Sequence, residues 1–124
     1  CLIYAAGVAG CVPGGFAPEL IVRGRRLVVD SKLRVKGYSN VFAIGDVCAF
    51  SPAEGKPPLP MVAPVAIQMG TYLARFFRAG APDHFPGFAY RDKGSMATIG
   101  KHRAVVDLKT WKTQGIFAWF IWMF

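Results

Sequence analysis

The sequence has no Cys-x-x-Cys pair: its three cysteines stand at positions 1, 11 and 48, an odd number that makes no disulfide framework. This points to a reducing compartment. Acid is scarce as well, with seven Asp and Glu against fifteen Lys and Arg and a net charge of +8. Such an excess draws anions of several kinds, from nucleic acid to phosphate-bearing cofactors to an anionic membrane leaflet. The basic residues are scattered as "RGRR", "KLRVK", "RFFR", "YRDK" and "KHR", which is also how a solvated basic face looks. His84 and His102 have no cysteine or carboxylate partner at metal-ligand spacing, so no metal site is expected and both read as loop residues. No Ser/His/Asp or Cys/His nucleophile emerges, and no residue is assigned a catalytic role; Cys48, with no basic neighbour in sequence, reads as a small buried hydrophobe. No Gly-x-Gly-x-x-Gly follows a strand, since "GVAGCVPGG" lacks the spacing. Internal repeats, low-complexity tracts and a signal peptide are missing too. There is no initiator Met, and "GIFAWFIWMF" ends on an apolar run, so the chain is expected to be part of a longer protein.

What is present suits one domain: 124 residues, 53% of them hydrophobic, can fill one core but not two. "CLIYAAGVAG" reads as a short buried strand entering a Gly-rich loop, and "CVPGGFAPE" as loop. "RLVVD" (26–30) reads as a strand, "SKLRVKGYSN" as a turn-rich connection punctuated by Gly37 and Asn40, and "VFAIG" (41–45) as a second buried strand. "SPAEGKPPLP", with four prolines in ten residues, must be loop. From Pro60 the period changes to i, i+3, i+4. Val62, Val65, Ala66, Met69, Leu73, Phe76 and Phe77 form an apolar stripe, and Gln68, Thr71, Arg75 and Arg78 the polar face. This predicts a helix over about 62–79, with Pro64 in its first turn, basic residues in its last and Gly80 as its stop. "MATIG" and "AVVDL" flank "KHR" as a hairpin. The aromatic tail is too short to cross a bilayer, which takes about twenty apolar residues. It suits the start of a helix lying in a membrane interface, or else a core strand or helix.

One acid stands out in this basic chain. Asp46 follows Gly45 at the end of an apolar run, and in open α/β sheets ligands sit beyond the carboxyl ends of strands. Glycine lets a ligand near the backbone, and a carboxylate accepts bonds from polyol hydroxyls, worth roughly 1.5–3 kcal/mol each when charge-assisted. Asp46 should therefore have a partner, unless it is a turn residue or helix cap. The free N–H groups near Val62 to Ala66, at the positive end of the following helix, favour an electron-rich carbonyl or anionic ring. A reduced flavin, negative near N1 and the C2 carbonyl, is one such group.

At this point a resemblance enters. "NVFAIGDVCAF" with "GKPPLPMVAPVAIQMGTYLARFF" resembles the second flavin-binding segment of the two-dinucleotide-binding-domain flavoproteins. "YRDKGSMATIGKHRAVVDL" with its aromatic tail is similar to one branch of these, the type II NADH:quinone oxidoreductases. "FAIGDV" marks only the broad superfamily; "DKGSMATIG" at this distance is far more specific. The likeness runs from the "AAG" at 5–7 to the end of the chain.

The resemblance implies an α/β chain, the C-terminal piece of a Rossmann-like flavoprotein carrying a β-hairpin and the start of a membrane-associated helix. Residues 1–10 would end an NADH-binding domain, 11–95 belong to the FAD domain and 96–124 begin a membrane-anchoring region. Asp46 would bind a ribityl hydroxyl of FAD, with Gly45 letting the cofactor close in. The backbone of Ala63, Pro64 and Val65 would face the pyrimidine edge of the ring, and Ala6 and Gly7 would lie where the NADH domain returns to the FAD domain. Gln68, matching the second Gln of the family's Ala-Gln-x-x-x-Gln pattern, and Lys93 would approach a quinone. Pro64 replaces the first Gln of that pattern, removing a side-chain amide and a backbone donor. With the glycine fingerprints absent, these residues alone are not expected to catalyse.

The activity implied is hydride transfer from NADH to FAD and electron transfer on to a membrane quinone, without proton pumping. The protein would sit peripherally on the cytoplasmic face of the cell membrane, as a possible homodimer that binds no nucleic acid. Two other readings stay open: a soluble FAD-dependent ferredoxin or disulfide reductase, and a basic RNA- or lipid-binding module. The tail argues against the first; the second lacks a nucleic-acid motif.

Overall fold

The computed structural model describes residues 2, 7–98, 104–108, 111–116 and 118. Two compact units divide the chain, Cys1–Tyr90 and Arg91–Phe124.

In the first unit, left-handed residues turn "IVRGRRLV" into a hairpin. β1 (Ile21–Val22) runs antiparallel to β2 (Arg26–Val28), with Ile21 opposite Leu27 and Val22 opposite Arg26. Gly24 (φ 81°) and Arg25 (φ 53°) close it; the glycine does so freely, while at Arg25 the conformation costs about 1 kcal/mol. β2 is the predicted "RLVVD" strand, shortened; β1 is not foreseen by the sequence reading. On its other side β2 runs parallel to β3 (Cys48–Ala49), with Leu27 opposite Cys48, so the sheet order is β1-β2-β3.

The expected second buried strand at 41–45 does not form. Residues 41–44 are an extended arm tied antiparallel to 33–35 by Val35 N–H donating to Val41 O (2.8 Å), Ala43 N–H donating to Leu33 O (3.1 Å) and one bridge, Arg34 to Phe42. Gly45, at φ 66°, turns the chain out of extended geometry into a 3-10 turn, Gly45–Val47, and the regular strand begins only at Cys48. Ile44, expected inside, is 37% exposed.

The connection before the arm is more than a turn. One Asp30 carboxylate oxygen, Oδ1, accepts the backbone N–H groups of Lys32 (2.8 Å) and Arg34 (2.9 Å). The loop is thereby folded so that Leu33 and Val35 are wholly buried. Leu33 reaches the core in a left-handed conformation (φ 64°).

α1 (Ala63–Arg78) matches the predicted helix to within a residue at each end. Val65, Met69, Leu73 and Phe76 are buried in a core with Leu27, Leu33, Val35, Cys48, Phe50 and Phe88. The stripe is narrower than expected: Val62 is 43% and Phe77 52% exposed, because they stand at the edges of the face that meets the sheet layer. The helix stops as predicted. Gly80 (φ 82°) donates to Phe77 O and Ala81 to Phe76 O, both at 2.9 Å, satisfying carbonyls that the last turn leaves open. Tyr72 packs on Phe76, Phe85 and Phe88 and donates its hydroxyl to Pro86 O (2.9 Å).

The second unit bears out the hairpin and adds a strand. β4 (Ser95–Thr98) pairs antiparallel with β5 (Ala104–Leu108), Met96 opposite Val106. β5 pairs in turn with β6 (Trp111–Gly115), Leu108 opposite Trp111. β6 was not expected; its polar "KTQ" hides the period of a strand. Ile116 and Ala118 after it are helical. Most of the opening strand (1–6), His102 and most of the proposed membrane-contacting tail lie outside the described residues. No helix among the described residues is long and apolar enough to cross a membrane.

Candidate functional site

The two halves of the expected site meet. The Gly45–Val47 turn packs on the N-terminal half of α1: Gly45 N–H donates to the Met69 sulfur (3.4 Å), and a Cβ built on Gly45 would lie 3.5 Å from the Ala66 Cβ. Gly45 therefore serves the turn through its positive φ, since an added methyl would make only ordinary contact with Ala66. Asp46 follows on this turn. Its side chain is exposed, and no hydrogen bond or ion pair holds it among the described residues. It is thus not the cap of a helix; the turn has no side-chain cap bond.

At the start of α1 the supply of free donors is smaller than expected. Val65 N–H (3.1 Å) and Ala66 N–H (3.3 Å) both donate to Val62 O, Val62 N–H donates to Pro60 O, and Pro64 has no N–H. Ala63 N–H is the donor left without a partner in this turn among the described residues. Ala63 and Pro64 are exposed, whereas Val65 is buried in the core. An acceptor carboxylate and an uncommitted amide on adjoining elements fit a group that offers hydroxyls at one place and a carbonyl at another, as FAD does.

Gly7 is exposed, with φ 74° and open space around it. Ala6 lies outside the described residues. Gln68 is half-buried on α1 one turn after Pro64. Lys93 is exposed in the second unit.

Sequence reasoning missed Gly10. Its N–H donates to Gly24 O (2.8 Å), and a Cβ there would stand 2.4 Å from Arg25 O and 3.1 Å from Asp46 O. Gly10 thus sits where its own loop crosses both the β1–β2 turn and the Asp46 turn. A lone glycine in a Gly-rich loop carries no sign of such a crossing. Met69 was read as core only; its sulfur is also an acceptor for the Asp46-bearing turn.

Cys48, 3% exposed in β3, has its thiol pushed up to about 12, chiefly by burial. It is the inert small hydrophobe expected. Pockets among the described residues also lie elsewhere. One of about 510 Å³ is lined by Arg23, Arg26, Ser51 and Pro57; another of about 350 Å³ lies between the Arg34 loop and the end of α1.

Comparison with known proteins fixes the lineage. No family model matches the chain. It is 35% identical to the internal alternative NAD(P)H-ubiquinone oxidoreductase A1, mitochondrial, of Arabidopsis thaliana, with 98% of this chain and 27% of the relative aligned. It is 35% identical to the type II NADH:quinone oxidoreductase NdhA of Mycobacterium tuberculosis (99% and 27%) and 36% identical to the type II NADH:quinone oxidoreductase of Staphylococcus aureus (83% and 26%). Each of these relatives is named as an oxidoreductase. The chain belongs to the family of type II NADH:quinone oxidoreductases, as the "DKGSMATIG" resemblance implied. It spans about 27% of the length of the first of these curated relatives.

Proposed function

We propose that the protein containing this chain oxidises NADH through bound FAD and reduces a membrane quinone, without pumping protons, and that this chain supplies the ribityl and ring-edge side of the flavin site. The observation that carries the reading is the Asp46 turn packed against the first turns of α1, in a chain of this family. Bound flavin would accept hydride from NADH and release electrons singly or in pairs. The residues here would bind and orient it, Asp46 by accepting hydroxyl hydrogen bonds and Ala63 by donating its N–H to a ring carbonyl.

In this reading residues 1–10 end the NADH-binding domain of a Rossmann-like pair, 11–95 complete the FAD domain and 96–124 begin an anchoring region. Gln68 and Lys93 face the quinone, the aromatic tail rests in the interface at the cytoplasmic side of the cell membrane, and two copies associate. Support comes from the tail's aromatic density and the nearby Lys109 and Lys112, a composition favoured at membrane interfaces.

The full-length protein carrying Asp46→Ala is expected to purify with much less FAD per chain, read from the flavin absorbance, while an exposed, unpartnered side chain leaves stability within about 0.5 kcal/mol. Unchanged flavin content would sink the assignment. Release of the full-length protein into the supernatant by a salt wash would count against the apolar anchor.

A further inference from the structure

We infer, on the flavin reading proposed above, that Met69 is a positioning residue of the FAD site: its sulfur, by accepting the Gly45 N–H, fixes where the Asp46 carboxylate stands relative to the start of α1. The two groups offered to FAD lie on different elements, Asp46 on the Gly45–Val47 turn and the Ala63 N–H at the first residue of α1. Asp46 cannot set that spacing itself, because its side chain is exposed and makes no hydrogen bond among the described residues. The link runs through its neighbour. Gly45 N–H donates to Met69 Sδ at 3.4 Å, and Met69, 1% exposed, is seated in the core with Val65 and Leu73 of the same helix. Met69 follows Ala63 by six residues, about 9 Å of helix axis, so this one contact sets the distance the cofactor has to bridge.

An amide that turns away from water needs an acceptor from the protein. The backbone of α1 has none to spare at this level, since carbonyls inside a helix already accept the N–H four residues on. The acceptor is therefore a side chain. A thioether on an unbranched stem fills core volume and accepts an N–H at once, without bringing in a charge. Leucine nearly matches its volume but cannot accept. The turn is closed on itself by Cys48 N–H donating to Gly45 O, so it moves as a unit. A Cβ built on Gly10 would stand 3.1 Å from the Asp46 carbonyl oxygen, so a neighbouring loop also crowds the backbone of this residue. Loosening Gly45 from the sulfur shifts the carboxylate, which has no hydrogen bond of its own to resist.

The test is the dissociation constant for FAD of the full-length protein, read from flavin fluorescence as the apoprotein is titrated, in a double-mutant cycle of Met69→Leu and Asp46→Ala. Met69→Leu is expected to weaken FAD binding about tenfold, the equivalent of one lost hydrogen bond. Asp46→Ala should weaken it more. In the Asp46→Ala background, Met69→Leu should change it by less than about twofold, because a residue that acts only through Asp46 has nothing left to position. A purely structural role in the helix would weaken binding equally in both backgrounds, and that result would overturn the inference. Unchanged binding in Met69→Leu, with Asp46→Ala still weakened, would also overturn it while leaving the Asp46 assignment standing; unchanged binding in Asp46→Ala would remove both. Met69→Ile, which likewise lacks an acceptor, takes its place in the cycle should Met69→Leu not fold.

Discussion

Single residues in this chain divide by whether a side chain has somewhere to go. Gly10 has no such room: an added methyl would stand 2.4 Å from a backbone carbonyl, which cannot swing aside as a side-chain tip can. Gly10→Ala should therefore lower stability by roughly 1–3 kcal/mol, seen as a lower urea midpoint, and displace the Asp46 turn. A wild-type midpoint would show that the crossing is looser than described. Cys48 makes a prediction in pH. Its proton is held more tightly in the folded protein (about 12) than in the unfolded chain (9.0), so its contribution to stability is complete below pH 9 and is lost as pH rises from 9 toward 12. Urea midpoints at pH 8 and pH 10 should fall more for wild type than for Cys48→Ala. At pH 8, peptide mapping after alkylation should find exposed Cys11 modified and Cys48 spared.

Elements were legible where one period ran long enough to outvote its exceptions. Sixteen residues of α1 carry the 3.6 pattern and a glycine stop, and the helix forms where the pattern says. Gly80→Ala tests that stop cleanly: nothing lies within 4 Å of the added carbon, so the loss, roughly 1–2 kcal/mol, is the cost of a left-handed alanine alone. A thermal midpoint unchanged from wild type would mean that the helix end has another brake. The strands were legible only in part, because two- and three-residue strands such as β1 and β3 are too short to show a period. "VFAIG" has the composition of a buried strand but is an arm of the 33–35 hairpin. Its composition could not reveal that Asp30 folds the preceding loop against it through two backbone bonds. For the candidate site, the carboxylate and the helix start were read from sequence. What holds them together, a glycine amide on a methionine sulfur and a glycine crossing, lies in backbone contacts that residue types do not announce.

At the scale of the whole molecule, the buried cluster among the described residues of the first unit runs from Leu27 to Phe88. A chain ended at Tyr90 should still unfold in one cooperative urea transition, followed by the near-ultraviolet signal of its packed rings. A broad, non-cooperative loss would show that the core depends on residues 91–124. The parallel pairing of β2 with β3 also carries a consequence for time. Leu27 must find Cys48 across 48 − 27 = 21 positions, whereas Thr98 and Ala104 are 104 − 98 = 6 apart. Closing the longer interval costs more entropy before any contact repays it. The β4–β5 ladder should thus gain amide protection early after dilution from denaturant. The Asp46 turn, wedged between the distant β2 and α1, should be among the last parts of the chain to acquire its native shape.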